Sequence, residues 1–440
     1  MGHFVPHTDA EIAEMLAFLG LSSVDELFAA VPAALRLAGG LDLAPGLSEP
    51  DVAAEMGRLA AANAVFPDLV CFAGGGVYDH EVPAATRSLT FRSEFVTAYT
   101  PYQPEVAQGV LQMLFEYQTM VARLAGVEVA NASLYDGASA VVEGVNLAVA
   151  ATGCAEVWVS RGVNPSWRQV LATFAAGTGH VLVDVPLVDG VTVWPDEGRA
   201  GAVVVAQPNY LGCLEDLDDA RRAADRAGAL LVVSADPVAA GLVRSPGSHG
   251  ADVVVGEGQP FGTPLSFGGP LLGLFACRLA HVRRLPGRLV GETVDVEGRR
   301  AYVTTLRTRE QDIRRERASS NVCTNQTLIA VACAIQLSWL GTGGLRELAL
   351  RCARGTRYAR EALLAVDGVA PLVGAPVVRE FAVRTPVPAA TVVERMADEG
   401  FLAGVALPAE YGDGLLVAVT ERRTRAEIDQ YAAALEKVVR

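Results

Sequence analysis

From Thr8 to about Ala62 the apolar residues recur at helical spacing, as in Ile12, Met15 and Leu16 and again in Val52, Met56 and Leu59. Thr8-Asp9-Ala10-Glu11 reads as a capping box, Ser23 to Phe28 opens a second helix, and Leu47-Ser48-Glu49-Pro50 precedes a third. Residues 1–65 are therefore expected to form a helical arm, packed on a neighbouring subunit or wrapped around the main body. Val110, Leu114, Tyr117, Val121 and Leu124 share one face of a later helix, and Gly126 suits its C-cap. From Val129 the pattern changes. Short Val/Leu/Ala runs at Val157–Ser160, Val181–Val185, Ala202–Ala206, Ala229–Val233 and Asp252–Val255 alternate with helical stretches at Trp167–Gly177 and Leu217–Gly228. Continuous apolar runs indicate strands covered on both faces, hence a mostly parallel sheet within residues 66–325. An apolar helix over Leu328–Leu340 is broken at Gly341-Thr342-Gly343-Gly344. Residues 326–440 then read as that helix plus a small α/β unit, with helices near Leu345–Val366 and Ala389–Glu399, strands near Glu380–Val383 and Leu415–Ala418, and a final helix from Thr424.

Composition narrows the function classes. The 440 residues carry 36 Lys+Arg against 50 Asp+Glu, a net charge of −14, which argues against nucleic acid or an anionic membrane as main partner. The seven cysteines are scattered without a C-x-x-C pair, so neither a zinc site nor a disulfide framework is expected, and no metal is assigned. There is no signal-peptide pattern and no uninterrupted run of about 18 apolar residues, so a cytoplasmic protein without a membrane span is expected. Gly74-Gly75-Gly76 followed by Val77-Tyr78-Asp79 does not give the G-x-G-x-x-G of a dinucleotide fold.

The chain has a single lysine, Lys437, so the other 35 basic residues are arginines. A surface can exchange lysine for arginine, but a Schiff-base nucleophile must be a primary amine and a Walker loop needs its lysine. This matters because one strand ends in Ser234-Ala235-Asp236-Pro237 and the next runs into Gly256-Glu257-Gly258-Gln259. An acid after one strand and a loop after the next is how many pyridoxal-phosphate (PLP) folds hold their cofactor: the acid pairs with the pyridine nitrogen and the loop supplies the lysine. In this loop stands Gln259. Asp136 with Gly137 and Ser139 opens a helix whose amides could face a phosphate, although an N-cap role for Asp136 is the simpler reading. Two loops are candidates for a cleft or an interface. One carries Tyr99, Tyr102, Gln103 and Glu105 among two prolines, and the other carries Ser320, Asn321, Thr324 and Asn325. The charged stretch with Arg307, Arg309, Arg314, Arg315 and Arg317 reads as a solvated helix face, with an anion site or a subunit contact as the alternative.

Several unusual strings occur together and in order. They include Tyr78-Asp-His80, Arg92-Ser-Glu-Phe95, Thr97-Ala-Tyr-Thr-Pro-Tyr-Gln-Pro-Glu105, Phe115-Glu-Tyr-Gln-Thr119, Gln207-Pro-Asn209, Gly256-Glu-Gly-Gln259, Ser266-Phe-Gly-Gly-Pro270, Ile313-Arg-Arg-Glu316 and Ser320-Asn-Val-Cys-Thr-Asn325. With these the chain resembles, over nearly its whole length, the α subunit (subunit 1) of the split glycine decarboxylase, the P-protein of the glycine cleavage system. The resemblance implies an α/β protein whose large domain has the PLP-dependent aminotransferase-like fold (fold type I). It also implies an α2β2 assembly with a β subunit, and a reaction in which glycine is decarboxylated and its aminomethyl group passes to the lipoyl arm of H-protein. In that family the Schiff-base lysine belongs to the β subunit, and Gln259 stands in the matching stretch. PLP is thus expected on the partner, with Asp236 and the start of the Asp136 helix as remnants of a cofactor pocket and no catalytic residue assigned with certainty in this chain. The competing expectation is a purely structural scaffold that stabilises the β subunit.

Overall fold

The computed structural model describes residues 6–37, 39, 41–64, 69–96, 100–266 and 268–440. The chain divides into two compact units, Met1–Ala64 and Val65–Arg440.

In the first unit Asp9–Leu19 and Glu49–Ala60 are α-helices, joined through short 3-10 turns. Thr8 caps the first in a full capping box with Glu11, and Ser48 caps the second by accepting from the Asp51 amide. None of the described residues between 6 and 64 is buried; Phe18, Leu35, Leu43 and Met56 are all exposed.

The second unit is built on a seven-stranded sheet. Its strands are β1 (Val129–Ala130), β2 (Glu156–Ser160), β3 (Val181–Val185), β4 (Ala202–Gln207), β5 (Leu230–Ala235), β6 (Val253–Glu257) and β7 (Gly273–Cys277). They lie in the order β1-β7-β6-β5-β4-β2-β3. β3 through β6 run parallel, and β7 returns antiparallel to β6. Strand alternation explains the continuous apolar runs. Val203 and Val205 enter one core beneath the helix Gln108–Ala125, while Ala202, Val204 and Ala206 enter a second core beneath Gly137–Thr152. Both faces are covered, so an alternating polar face would be buried without partners. The β5 and β6 carboxyl ends therefore open at Ala235-Asp236 and Glu257-Gly258, where a parallel sheet of this kind places its site.

A smaller antiparallel sheet orders its strands as Ala370–Pro371, Glu380–Arg384, Leu415–Ala418 and Val405–Ala406. The helices Ala389–Asp398 and Arg425–Val439 cover it over a core that includes Phe381, Met396 and Tyr431. Val70–Cys71 pairs with Phe401–Leu402, so the second unit begins on this small domain before it enters the large one. The long helix Thr327–Leu364 links the two. Gly341, at φ 59 and ψ −176, breaks its regular backbone, and the helix resumes at once on the far side. This helix is long and apolar enough to cross a membrane by length and composition; its residues 330–337 are buried in the large-domain core.

One expectation is corrected. The charged stretch from Arg307 to Arg317 is not one solvated helix, and Arg309 within it is buried. Leu289–Val294 and Arg300–Thr305 make an antiparallel hairpin, followed by short helical turns at Arg307–Arg309, Gln311–Arg314 and Arg315–Arg317. Leu289, Val290 and Tyr302 are buried toward the base of the hairpin, whereas Glu292, Val294 and Arg300 lie exposed toward its tip.

Candidate functional site

The carboxyl ends of β5 and β6 meet the small domain in a cleft partly open to solvent. Asp236, Glu257, Trp167, Tyr210, Arg379 and Glu380 are among its lining residues. Asp236, the expected pyridine-pairing acid, already has a cation: Arg379 Nε lies 2.7 Å from its Oδ2. The Arg379 N–H is not aimed along that line, so the contact is an ion pair rather than a directed hydrogen bond. The Arg379 guanidinium also lies 3.5 Å from the centre of the Tyr78 ring and reaches His80 Nε2. Arg379 is buried, which works against its charge, but Asp236 and its other neighbours outweigh burial and hold it firmly protonated. Tyr78 donates to Glu380 Oε2 at 2.9 Å, and the Gly75 amide donates to Glu380 Oε1 at 2.6 Å. Burial pushes the Glu380 carboxyl up to about 7.

Gln259, 1 % exposed, stands in the loop where a lysine would be needed. Its side-chain amide accepts from the Tyr78 amide at 3.2 Å and donates to the carbonyls of Tyr78 (3.1 Å) and Thr263 (2.8 Å). Both ends of the side chain are used, and they stitch the loop to the Tyr78 segment. The helix that was to cradle a phosphate is occupied as well. Asp136 caps it through the Ser139 amide at 2.7 Å, and Glu257 Oε2 accepts from the Gly137 amide at 2.9 Å. A Cβ on Gly137 would fall 2.4 Å from the Trp167 ring, so the indole covers that turn. Burial raises the Glu257 carboxyl to about 7 despite three backbone donors.

These residues do not fit a covalently held PLP. Among the described residues no side-chain amine faces the cleft, since Lys437 lies on the last helix, paired with Glu399 at 2.5 Å. Two carboxylates and an indole stand at the helix start, where a phosphate needs free amides. The acid for the pyridine nitrogen is neutralised by Arg379.

The second candidate loop lies elsewhere on the large domain. Asn325 donates to the Ala132 carbonyl (2.8 Å) and to Ser133 (3.2 Å), and Ser133 accepts from the Gln326 amide. Tyr135 and the Cys323 amide are 3.2 Å apart. Ser320 lies against Glu143, whose carboxyl burial raises to about 7. Asn321 and Cys323 are exposed, and the buried Thr324 hydroxyl has no partner among the described residues. Tyr102 is 63 % exposed, with Arg288 stacked 5.3 Å from its ring centre, beside a small pocket with Arg307 and Glu310; Gln103 and Glu105 are also exposed. Tyr99 lies outside the described residues.

Sequence reasoning assigned no chemistry to Arg379, Glu380, Glu257 or Trp167. Glu257 was visible within Gly256-Glu-Gly-Gln259, but the Tyr78–Glu380 contact spans 302 positions and has no local signal. His80, Cys352 and Glu421 bring possible metal-binding atoms within 4.8 Å of one another. His80 already joins Glu421 (2.7 Å) and Arg379, so the group is a hydrogen-bonded link between segments.

Comparison with known proteins agrees with this architecture. Residues 2–435 match the family described as glycine cleavage system P-protein. A protein of Chlorobium limicola described as probable glycine dehydrogenase (decarboxylating) subunit 1 is 46 % identical over 439 residues, covering 98 % of this chain and 99 % of that one. The same description belongs to a Moorella thermoacetica protein, 46 % identical over 444 residues with 99 % of each chain covered. Among solved structures, an inhibitor-bound glycine decarboxylase (P-protein) of the glycine cleavage system superposes with a TM-score of 0.93 at 47 % identity, covering 99 % of this chain and 100 % of that chain. A Lactobacillus brevis glutamate decarboxylase shares the fold alone, with a TM-score of 0.67 at 13 % identity and coverage of 93 % and 96 %. The large domain thus has the fold of the PLP-dependent fold type I enzymes.

Proposed function

The chain belongs to the glycine cleavage system P-protein family, and from that premise we propose that it is the subunit without a Schiff-base lysine in a glycine decarboxylase complex. The complex decarboxylates glycine and transfers the aminomethyl group to the lipoyl arm of H-protein. PLP is held by a partner β subunit, in an α2β2 assembly of the cytoplasm. The observation that carries the reading is Gln259: buried, hydrogen-bonded at both ends, and in the loop position that a lysine would have to occupy.

This chain then acts on the partner's cleft. The loop of Ser320 to Asn325 and the loop around Tyr102 present the exposed side chains Asn321, Tyr102, Gln103 and Glu105, which suits a wall that orients substrate and excludes water. The first unit supports assembly. A segment with no buried residue among those described, and with many exposed Leu, Met and Phe side chains, gains stability by covering them on another surface. A chain beginning at residue 65 is expected to fold yet fail to assemble with the β subunit in size-exclusion chromatography.

The test is reconstitution. The chain alone, mixed with PLP and treated with borohydride, should retain no pyridoxyl group and should catalyse no glycine-dependent exchange of carbon dioxide. The β subunit should retain the pyridoxyl group, and exchange should require both chains. The scaffold reading predicts instead that substitutions in the two loops alter assembly and never turnover within assembled complexes.

A further inference from the structure

The small pocket between the Tyr102 loop and the turn after the hairpin is lined by Pro101, Tyr102, Arg288, Thr304, Arg307 and Glu310. Two of its groups lack the partner that their burial calls for. Glu310 is 9 % exposed, and its Oε1 is buried with no hydrogen-bond partner among the described residues. Arg288 is half-buried; its guanidinium stacks over the Tyr102 ring but makes no hydrogen bond or ion pair with a described residue. Arg307 is exposed and gives one N–H to Asp312 at 3.1 Å.

Positive charge prevails here, although the whole chain carries −14. Arg309, 8 % exposed, adds a third guanidinium beside Glu310. Its Nη1 donates to the Leu285 carbonyl, while its Nε and Nη2 have no partner among the described residues. Burial pushes the Glu310 carboxyl up, and Arg309, Arg288 and Arg307 offset that only in part. No ion pair joins Glu310 to any of the three. A buried carboxyl oxygen and an unpaired guanidinium on one pocket wall call for a group that bonds to both.

We propose that this pocket binds a small planar oxyanion of the bicarbonate or simple carboxylate class, held between the Arg288 and Arg307 guanidiniums, with one of its oxygens sharing a proton with Glu310 Oε1. A guanidinium is planar and offers paired N–H donors that match a CO2 group. Stacking on Tyr102 fixes the plane of Arg288. A carboxyl and an oxyanion this close hold one proton between them, so Glu310 bonds to the ligand instead of repelling it. Chloride has no second atom to bond to Glu310, and tetrahedral phosphate is bulkier than the small pocket suits.

The full-length chain is titrated at constant ionic strength in HEPES at pH 7.5 with 13C-formate, 13C-bicarbonate, chloride and phosphate. Binding is read from 13C line widths and by calorimetry. Saturable one-to-one binding of formate or bicarbonate is expected, at least fivefold tighter than chloride or phosphate. Bicarbonate alone would assign the site to hydrated carbon dioxide, and formate as well would assign it to carboxylates; both support the proposal. Arg288→Met and Arg307→Met should each weaken binding about fivefold or more, whereas Arg357→Met, a remote exposed arginine paired with Glu361, should not. Arg307 is exposed, so its variant decides the matter even if Arg288→Met does not fold. The proposal is overturned if neither oxyanion saturates, if chloride or phosphate binds as tightly, or if either folded pocket variant binds within twofold of the parent.

Discussion

Two parts of the large domain carry most of the unusual residues, and they differ in how far their polar groups are satisfied. Around the sheet ends, Gln259 is tied to Tyr78 and Thr263, Asp236 to Arg379, and Glu380 to Tyr78 and Gly75. Around Ser320 to Asn325 and Tyr102 the buried end of the loop is anchored through Asn325, but Asn321, Cys323, Gln103 and Glu105 point to solvent. The first region has turned a cofactor pocket's position into structure: its charged side chains hold the small domain to the large one. The second leaves those side chains exposed at the surface. On the proposed function, a fold whose usual site has closed would still contribute to catalysis, through loops that line the partner's site.

The comparison makes graded predictions. The largest concerns stability at the closed site. Arg379→Met leaves Asp236 and His80 without their cation in a buried setting, and urea unfolding should show a loss of about 3–5 kcal/mol. The paired change Arg379→Met with Asp236→Leu should recover most of it, because the cost lies in the stranded charge. If the single variant costs nothing, the cleft is not held by this ion pair.

Next is the pH dependence of the ground beneath the open loop. The Glu143 carboxyl titrates near 7 in the fold, against 4.5 ordinarily, because it is buried. The folded state therefore binds more protons than the unfolded chain between those values. Its stabilising contribution is complete below about pH 4.5 and is lost as the pH rises through about 7. Glu143→Gln should match the parent at low pH and exceed it at pH 8, by at most about 3 kcal/mol. A constant offset across the range would show that Glu143 is charged in the fold.

The smallest effects are expected at the open loops. In the assembled complex, Asn321→Ala or Tyr102→Phe should lower turnover about tenfold, or ~1.4 kcal/mol. The melting temperature of the isolated chain should change by no more than about a degree, since both side chains are exposed. Equal turnover in both variants would return these loops to a structural role.

Much of this was legible before any coordinates. The parallel sheet followed from uninterrupted Val/Ala runs, and the helix caps from Thr8, Asp136 and Gly126, because both signals are local. The missing lysine pointed to Gln259, since a nucleophile's absence is read directly from composition. The hairpin at Leu289–Thr305 was hidden by its charges. The residues that close the pocket were hidden for a different reason. Arg379 and Glu380 reach Asp236 and Tyr78 across more than a hundred positions, and no period or spacing encodes which strand start will meet which loop.

The central claim is that this pocket is closed to PLP by its whole lining, and not only by the loss of one amine. Gln259→Lys restores the amine and nothing else. The account predicts that this variant, folded and mixed with PLP, shows no absorbance band in the visible and no pyridoxyl group after borohydride reduction and digestion, because Glu257, Trp167 and Arg379 still occupy the cofactor's contacts. A stoichiometric pyridoxyl group on residue 259 would contradict it, and would mean that the pocket stayed open and lost only its lysine.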